Sequence, residues 1–99
     1  MIVTLQYFTG CPSWQVADER LAALAAERPE LTVQHQLVET VEDAERLGFH
    51  GSPSIVVDGA DVFAGPGTAV GLACRLYQTP DGPSGAPTLD QLRSALARP

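Results

Sequence analysis

Two cysteines, Cys11 and Cys74, and two histidines, His35 and His50, are the residues of this 99-residue chain with the clearest capacity for nucleophilic or metal chemistry. Two thiols are too few for a disulfide framework or an all-cysteine zinc site, so each is read as a reactive thiol or as a buried core residue. A metal site made of both cysteines and both histidines is disfavoured, because no close pair of ligands seeds it; no metal is expected. Cys11 follows an apolar run and precedes Pro12 and an amphipathic stretch. At such a helix start the dipole and unpaired backbone N–H groups stabilise a thiolate, the attacking species in thiol–disulfide exchange. Asp18 and Glu19 oppose this slightly, from more than a turn away. Cys74 lies among Leu72, Ala73 and Leu76, which favours a buried, unpaired thiol; the alternative is a resolving or metal-binding thiol, with Arg75 able to lower its pKa. His50 reads as a solvated loop residue and His35 as a structural one, the alternative for His50 being a base near the thiol.

The elements that must position these residues follow from the hydrophobic pattern. Ile2-Val3-Thr4-Leu5-Gln6-Tyr7-Phe8 is β-branched and aromatic and stops at Thr9-Gly10, which predicts a buried strand ending beside Cys11. Pro12 suits a first helical turn, and Trp14, Ala17, Leu21 and Leu24 recur at helical spacing up to Arg28-Pro29. Trp14 is read as a core or rim aromatic that can also cover the Cys11 sulfur. Val33, His35 and Leu37 alternate with Gln34 and Gln36, as in a strand at a sheet edge. Thr40 and Asp43 start a short helix that Gly48 ends. Ser54 to Val57, Asp58-Gly59 and Asp61-Val62-Phe63 form the pattern of a hairpin, and Thr88 with Gln91 opens a final helix through Leu89, Leu92 and Leu96. The order is β-α-β-α-β-β-α. A Gly- and Pro-rich insertion at about 64–87, with Gly65-Pro66-Gly67 at its start, is expected to pack in its first half and to be mobile near Ser84-Gly85.

Composition narrows the function classes. The formal net charge is −6 and all six basic residues are arginines scattered along the chain, so phosphate backbones and anionic membranes would be repelled. No apolar run approaches the roughly 20 residues that span a bilayer, and Met1-Ile2-Val3-Thr4 lacks a basic leader, so the chain reads as one cytoplasmic domain over 1–99. Neither nucleic acid nor membrane is an expected partner.

Taken together, the element order, the Thr9-Gly10-Cys11-Pro12-Ser13-Trp14 turn and Gly51-Ser52-Pro53-Ser54 ahead of a hairpin resemble the thioredoxin and glutaredoxin superfamily. That resemblance implies a thioredoxin-like α/β fold with a four-stranded mixed sheet in the order 2-1-3-4, one helix on one face and two on the other. It also implies Cys11 as the attacking thiol, a cis peptide before Pro53, and a substrate groove shaped by Pro12, Trp14, Ser52 and Pro53. The backbone beside Pro53 would pair with bound thiol substrates. Trp14 stands where the second cysteine of C-x-x-C would be, so the site is of monothiol type, resolved by an external thiol or by Cys74. Over nearly the whole chain, Gly10-Cys11-Pro12, Gly51-Ser52-Pro53 and Cys74-Arg75-Leu76-Tyr77 ahead of Pro-Thr-Leu are similar to small bacterial thioredoxin-like proteins, some of them labelled alkylmercury lyase. The aspartate those lyases carry three residues after a cysteine is replaced here by Trp14 and Tyr77, so their proton donor is missing. The expected activity is therefore thiol–disulfide exchange or thiol carriage on low-molecular-weight thiols or protein disulfides, with no redox cofactor. The alternative is a non-catalytic binding module, or a soft-metal site between the two thiols.

Overall fold

The computed structural model describes residues 1–65 and 67–97 of the chain, so Pro66 of the Gly-Pro-Gly turn and Arg98 lie outside the described residues. The elements are β1 (Ile2–Tyr7), α1 (Trp14–Glu27), β2 (Thr32–Leu37), α2 (Val41–Leu47), β3 (Ser54–Val57), β4 (Ala60–Asp61), β5 (Tyr77–Thr79), β6 (Gly82–Ser84) and α3 (Leu89–Ala95). A four-stranded sheet runs in the order β2-β1-β3-β4, and β5 and β6 form a separate two-stranded ribbon. Strands β1 and β2 are parallel because α1 carries the chain back between them, whereas β3 and β4 join antiparallel. The mixed sheet, its order and the three helices agree with expectation.

Burial explains which strand is central. Val3 and Leu5 of β1 and Ile55 of β3 are fully buried and form one core with Ala17, Leu21 and Leu24 of α1 and with Leu92 of α3. A smaller cluster of Val38, Ala44 and Phe49, with Phe8 against it, packs α2 elsewhere on the sheet. Every residue of β2 is exposed or half-buried, as its polar alternation predicts for an edge. His35 on that edge meets Asp18 of α1 at 2.7 Å and ties the edge strand to the helix, the structural role expected of it.

Local signals set the ends of the elements. Thr88 and Gln91 complete both halves of a capping box at α3, and Thr40 accepts the Asp43 N–H at α2. Asp58 and Gly59 both have positive φ, the conformation a two-residue hairpin turn requires, and the Asp58 carboxylate accepts the Ile2 N–H at 3.1 Å. Among the described residues no helix is long and apolar enough to cross a membrane.

Three expectations change. Strand β4 is only two residues long, because Asp61 turns its carboxylate onto the Phe63 N–H and closes a turn where the strand was expected to continue. Helix α1 opens at Trp14, leaving Pro12 in the turn that precedes it. The segment near Ser84-Gly85 is built into the ribbon instead of being a free loop: Ser84 pairs with Tyr77, and Gly85 lies so close to the Ser13 side chain that a β-carbon there would collide with it.

Candidate functional site

The two cysteines are joined. A disulfide links Cys11 to Cys74 across 63 residues, with the Cα atoms 5.6 Å apart, and no described cysteine is free. This corrects the expectation of a buried, unpaired Cys74. Cys11 is 2% exposed, whereas Cys74 is exposed. The physical reason is that 73–77 is extended, not helical. Ala73, Cys74 and Leu76 are exposed, Arg75 is half-buried and Tyr77 is buried, so apolar neighbours in sequence do not bury Cys74. Residue 14 is tryptophan, so the second thiol of a C-x-x-C motif is absent as read, and the second sulfur arrives from a distant segment.

Three segments converge at the end of β1. The Cys11 N–H donates to the Phe8 carbonyl at 3.1 Å. The Ser52 hydroxyl, 1% exposed, accepts the Phe8 N–H at 3.0 Å and donates to the same Phe8 carbonyl at 3.4 Å. Ser52 then pairs its backbone with the segment that carries Cys74. Its N–H donates to the Ala73 carbonyl at 2.8 Å, and its carbonyl accepts the Arg75 N–H at 3.0 Å. Gly51 permits this approach: its φ is +103°, and a β-carbon would stand 3.0 Å from the Ala73 carbonyl oxygen and 3.1 Å from Arg75 Cβ. The peptide between Ser52 and Pro53 is cis, as the resemblance implied.

The start of α1 differs in detail from the sequence reading. The N–H groups of Trp14, Gln15, Val16 and Ala17 donate to the carbonyls of Cys11, Pro12 and Ser13, so they are not free to solvate a thiolate. What reaches Cys11 is the dipole of the 14-residue helix, undiminished by any acidic residue in its first turn. Trp14 is half-buried against the main core and stacks on Tyr7 with centroids 4.4 Å apart, in keeping with its reading as a core or rim aromatic. Pro12 is exposed.

Arg75, the residue after Cys74, joins a polar cluster that the sequence did not reveal. Asp61, its side chain 8% exposed, takes Arg75 at 2.8 Å and His50 Nδ1 at 2.9 Å on the same carboxylate oxygen. Arg75 also donates to the Ser54 hydroxyl and lies over the Tyr77 ring at 4.7 Å, while the Tyr77 hydroxyl donates to the Pro53 carbonyl at 2.5 Å. Burial pushes the Asp61 carboxyl up, but the hydrogen bonds from Arg75, His50 and the Phe63 N–H, with the Arg75 charge, outweigh it and hold the carboxyl below the ordinary aspartate range. Burial pushes the Tyr77 phenol up, so it stays a neutral donor. His50 is thus not the solvated loop residue expected: its side chain is 20% exposed and its Nδ1 is held 2.9 Å from Asp61. His50, Phe63, Val70, Cys74, Arg75 and Leu76 border one pocket of about 420 Å³. A larger hollow of about 670 Å³ between the β5–β6 ribbon and α3 contains neither cysteine. Among the described residues no group of three or more His, Cys, Asp or Glu is arranged to hold a metal ion.

Two outcomes test this geometry. Gly51→Ala should lower stability by about 1–3 kcal/mol through its positive φ and the crowded Ala73 carbonyl, read as a lower urea midpoint at unchanged slope. It should also leave a smaller fraction of Cys11–Cys74 disulfide in a fixed thiol buffer. Asp61→Asn leaves the buried Arg75 without its counter-charge and should cost about 3 kcal/mol at neutral pH. Because the folded Asp61 pKa is lowered, its contribution is complete above the unfolded value near 4 and is lost as pH falls through the folded value. The gap between wild type and Asp61→Asn in urea unfolding should therefore stay constant at higher pH and narrow only below about pH 4.

No known protein family matches the chain, and no curated protein or solved structure does, so the chemistry of the site rests on its own geometry.

Proposed function

We propose that this chain is a thiol–disulfide exchange protein of thioredoxin-like fold, cycling between the Cys11–Cys74 disulfide and the dithiol. The observation that carries the reading is the disulfide itself: it joins a cysteine ahead of a long helix to an exposed cysteine that borders a small-molecule-sized pocket. A purely structural crosslink has no need of an exposed sulfur-bearing residue beside a histidine–aspartate pair. The strand order β2-β1-β3-β4 and the cis Ser52-Pro53 peptide beside the cysteines support the thioredoxin-like part of the reading. In that resemblance the backbone beside Pro53 pairs with bound thiol substrates; here the backbone of Ser52 pairs with the chain's own Cys74 segment, which supports an internal disulfide in place of a C-x-x-C motif. The substrates of this reading are low-molecular-weight thiols and protein disulfides, in the cytoplasm, and sulfur supplies the redox chemistry without a cofactor.

The purified protein should reduce a small-molecule disulfide catalytically when coupled to excess thiol, and Cys11→Ser and Cys74→Ser should each lower turnover by about 100-fold or more. Turnover that survives both substitutions, or a Cys11–Cys74 bond that excess thiol does not open in the folded protein, rejects the reading.

The meeting of two sulfurs also favours a second reading, a soft-metal binding module, because two adjacent thiolates suit a cation such as Hg(II). Titration of the reduced protein separates the two. A binding module takes up about one Hg(II) per chain with an affinity that collapses in Cys74→Ser, and it shows no disulfide turnover. Equal affinity in Cys74→Ser excludes the two-thiolate site.

A further inference from the structure

Resting on the exchange reading, we infer that the two sulfurs have fixed and opposite roles, with Cys74 the sulfur that a small thiol attacks and stays bonded to, and Cys11 the inward sulfur that leaves. This reverses the role expected for Cys11 from its place in the sequence. The first support is access. Cys11 is 2% exposed and does not border the 420 Å³ pocket, whereas Cys74 is exposed and does. Which sulfur of a disulfide is attacked depends on access, and an entering thiolate approaches in line with the bond it breaks, so the outer sulfur is the target and the inner one departs. The second support is electrostatic and independent of access. Cys11 lies ahead of a 14-residue helix whose dipole stabilises a thiolate, and Cys74 sits on an extended segment with no such helix. The sulfur whose thiolate is the better stabilised is the better leaving group, so both observations assign departure to Cys11.

The step balances with a small thiol as the only co-reactant. A thiolate RS⁻ forms a bond to Cys74 Sγ, the Cys74–Cys11 bond breaks, and its electron pair leaves on Cys11 as a thiolate. A second RS⁻ then attacks the RS sulfur, RSSR departs and Cys74 leaves as a thiolate, which takes up a proton. Two thiols are thereby oxidised to one disulfide and the protein is reduced to the dithiol. In the reverse direction Cys74 thiolate attacks RSSR and releases RS⁻; Cys11 thiolate then displaces the second RS⁻ from Cys74. The pocket, about 420 Å³ bordered by Phe63, Val70 and Leu76, is of a size for a low-molecular-weight thiol, the smaller of the two substrate classes of the exchange reading.

The disulfide form of the wild-type protein, treated briefly with glutathione, quenched with iodoacetamide and mapped by peptide mass, should carry glutathione on Cys74 and the alkyl group on Cys11. In parallel, Cys11→Ser, which keeps Cys74, should react with a chromogenic pyridyl disulfide at least about tenfold faster than Cys74→Ser, because access governs the rate. Glutathione on Cys11 with Cys74 alkylated, or an even division between the two, overturns this assignment while leaving the exchange reading intact. A disulfide that glutathione neither opens nor modifies overturns the exchange reading, and the assignment with it.

Discussion

The structure around the cysteines depends on one junction, the grip of the Ser52 hydroxyl on both backbone groups of Phe8. Where a strand runs out, the N–H and carbonyl of the next residue need partners outside the sheet, and a buried group left unpaired costs about 1–3 kcal/mol. Ser52 answers both needs at once and so fixes the loop ahead of β3 against the end of β1. The same Phe8 carbonyl accepts the Cys11 N–H. One peptide unit therefore sets the position of the turn that bears Cys11 and of the loop that receives Cys74. The backbone of Ser52, held in place by its own side chain, is then a fixed edge onto which residues 73–75 add.

A crosslink over 63 residues restricts the unfolded chain by about 4 kcal/mol in the loop-entropy view, which by itself would make the bond hard to open. Exchange requires that the two thiols remain neighbours after the bond is broken, and the contacts that hold the Cys74 segment do not depend on sulfur. The Ser52 backbone pairing, the Gly71 N–H on the Phe49 carbonyl, the Arg75–Asp61 ion pair and the Tyr77 hydroxyl on the Pro53 carbonyl involve no sulfur atom. In the proposed exchange cycle these contacts are what would hold the two thiols close, where reacting groups behave as if highly concentrated.

Much of the sheet was legible from the sequence because its signals are local. The β-branched run before Cys11, the Asp58-Gly59 turn, the capping residues Thr40 and Thr88 and the alternation of β2 each act within a few residues, and each is found where it was expected. The place of Cys11 ahead of a helix and of Ser52-Pro53 ahead of β3 was legible for the same reason. The partner of Cys11 was not, because no local rule governs a contact 63 residues long. It is set by the missing β-carbon of Gly51, by the Ser52 edge and by an Asp61 that reads as an ordinary hairpin polar residue until Arg75 and His50 are seen to share it. The β5–β6 ribbon was illegible because Gly82-Pro83 signals a turn. Only an edge with no further strand to pair can accept a proline there, and a two-stranded ribbon is all edge.

The distance along the chain between the two sulfurs has a consequence for biosynthesis. A C-x-x-C pair is complete almost as soon as its first cysteine is made, and it can close before any fold exists. Here Cys11 is translated 63 residues ahead of Cys74, which at roughly 5–20 residues per second is an interval of several seconds. During that interval Cys11 has no partner of its own and is guarded only as β1, α1 and β3 gather around it. All four strands of the main sheet are translated before Cys74, so the chain that reaches this sulfur already contains the edge that receives it.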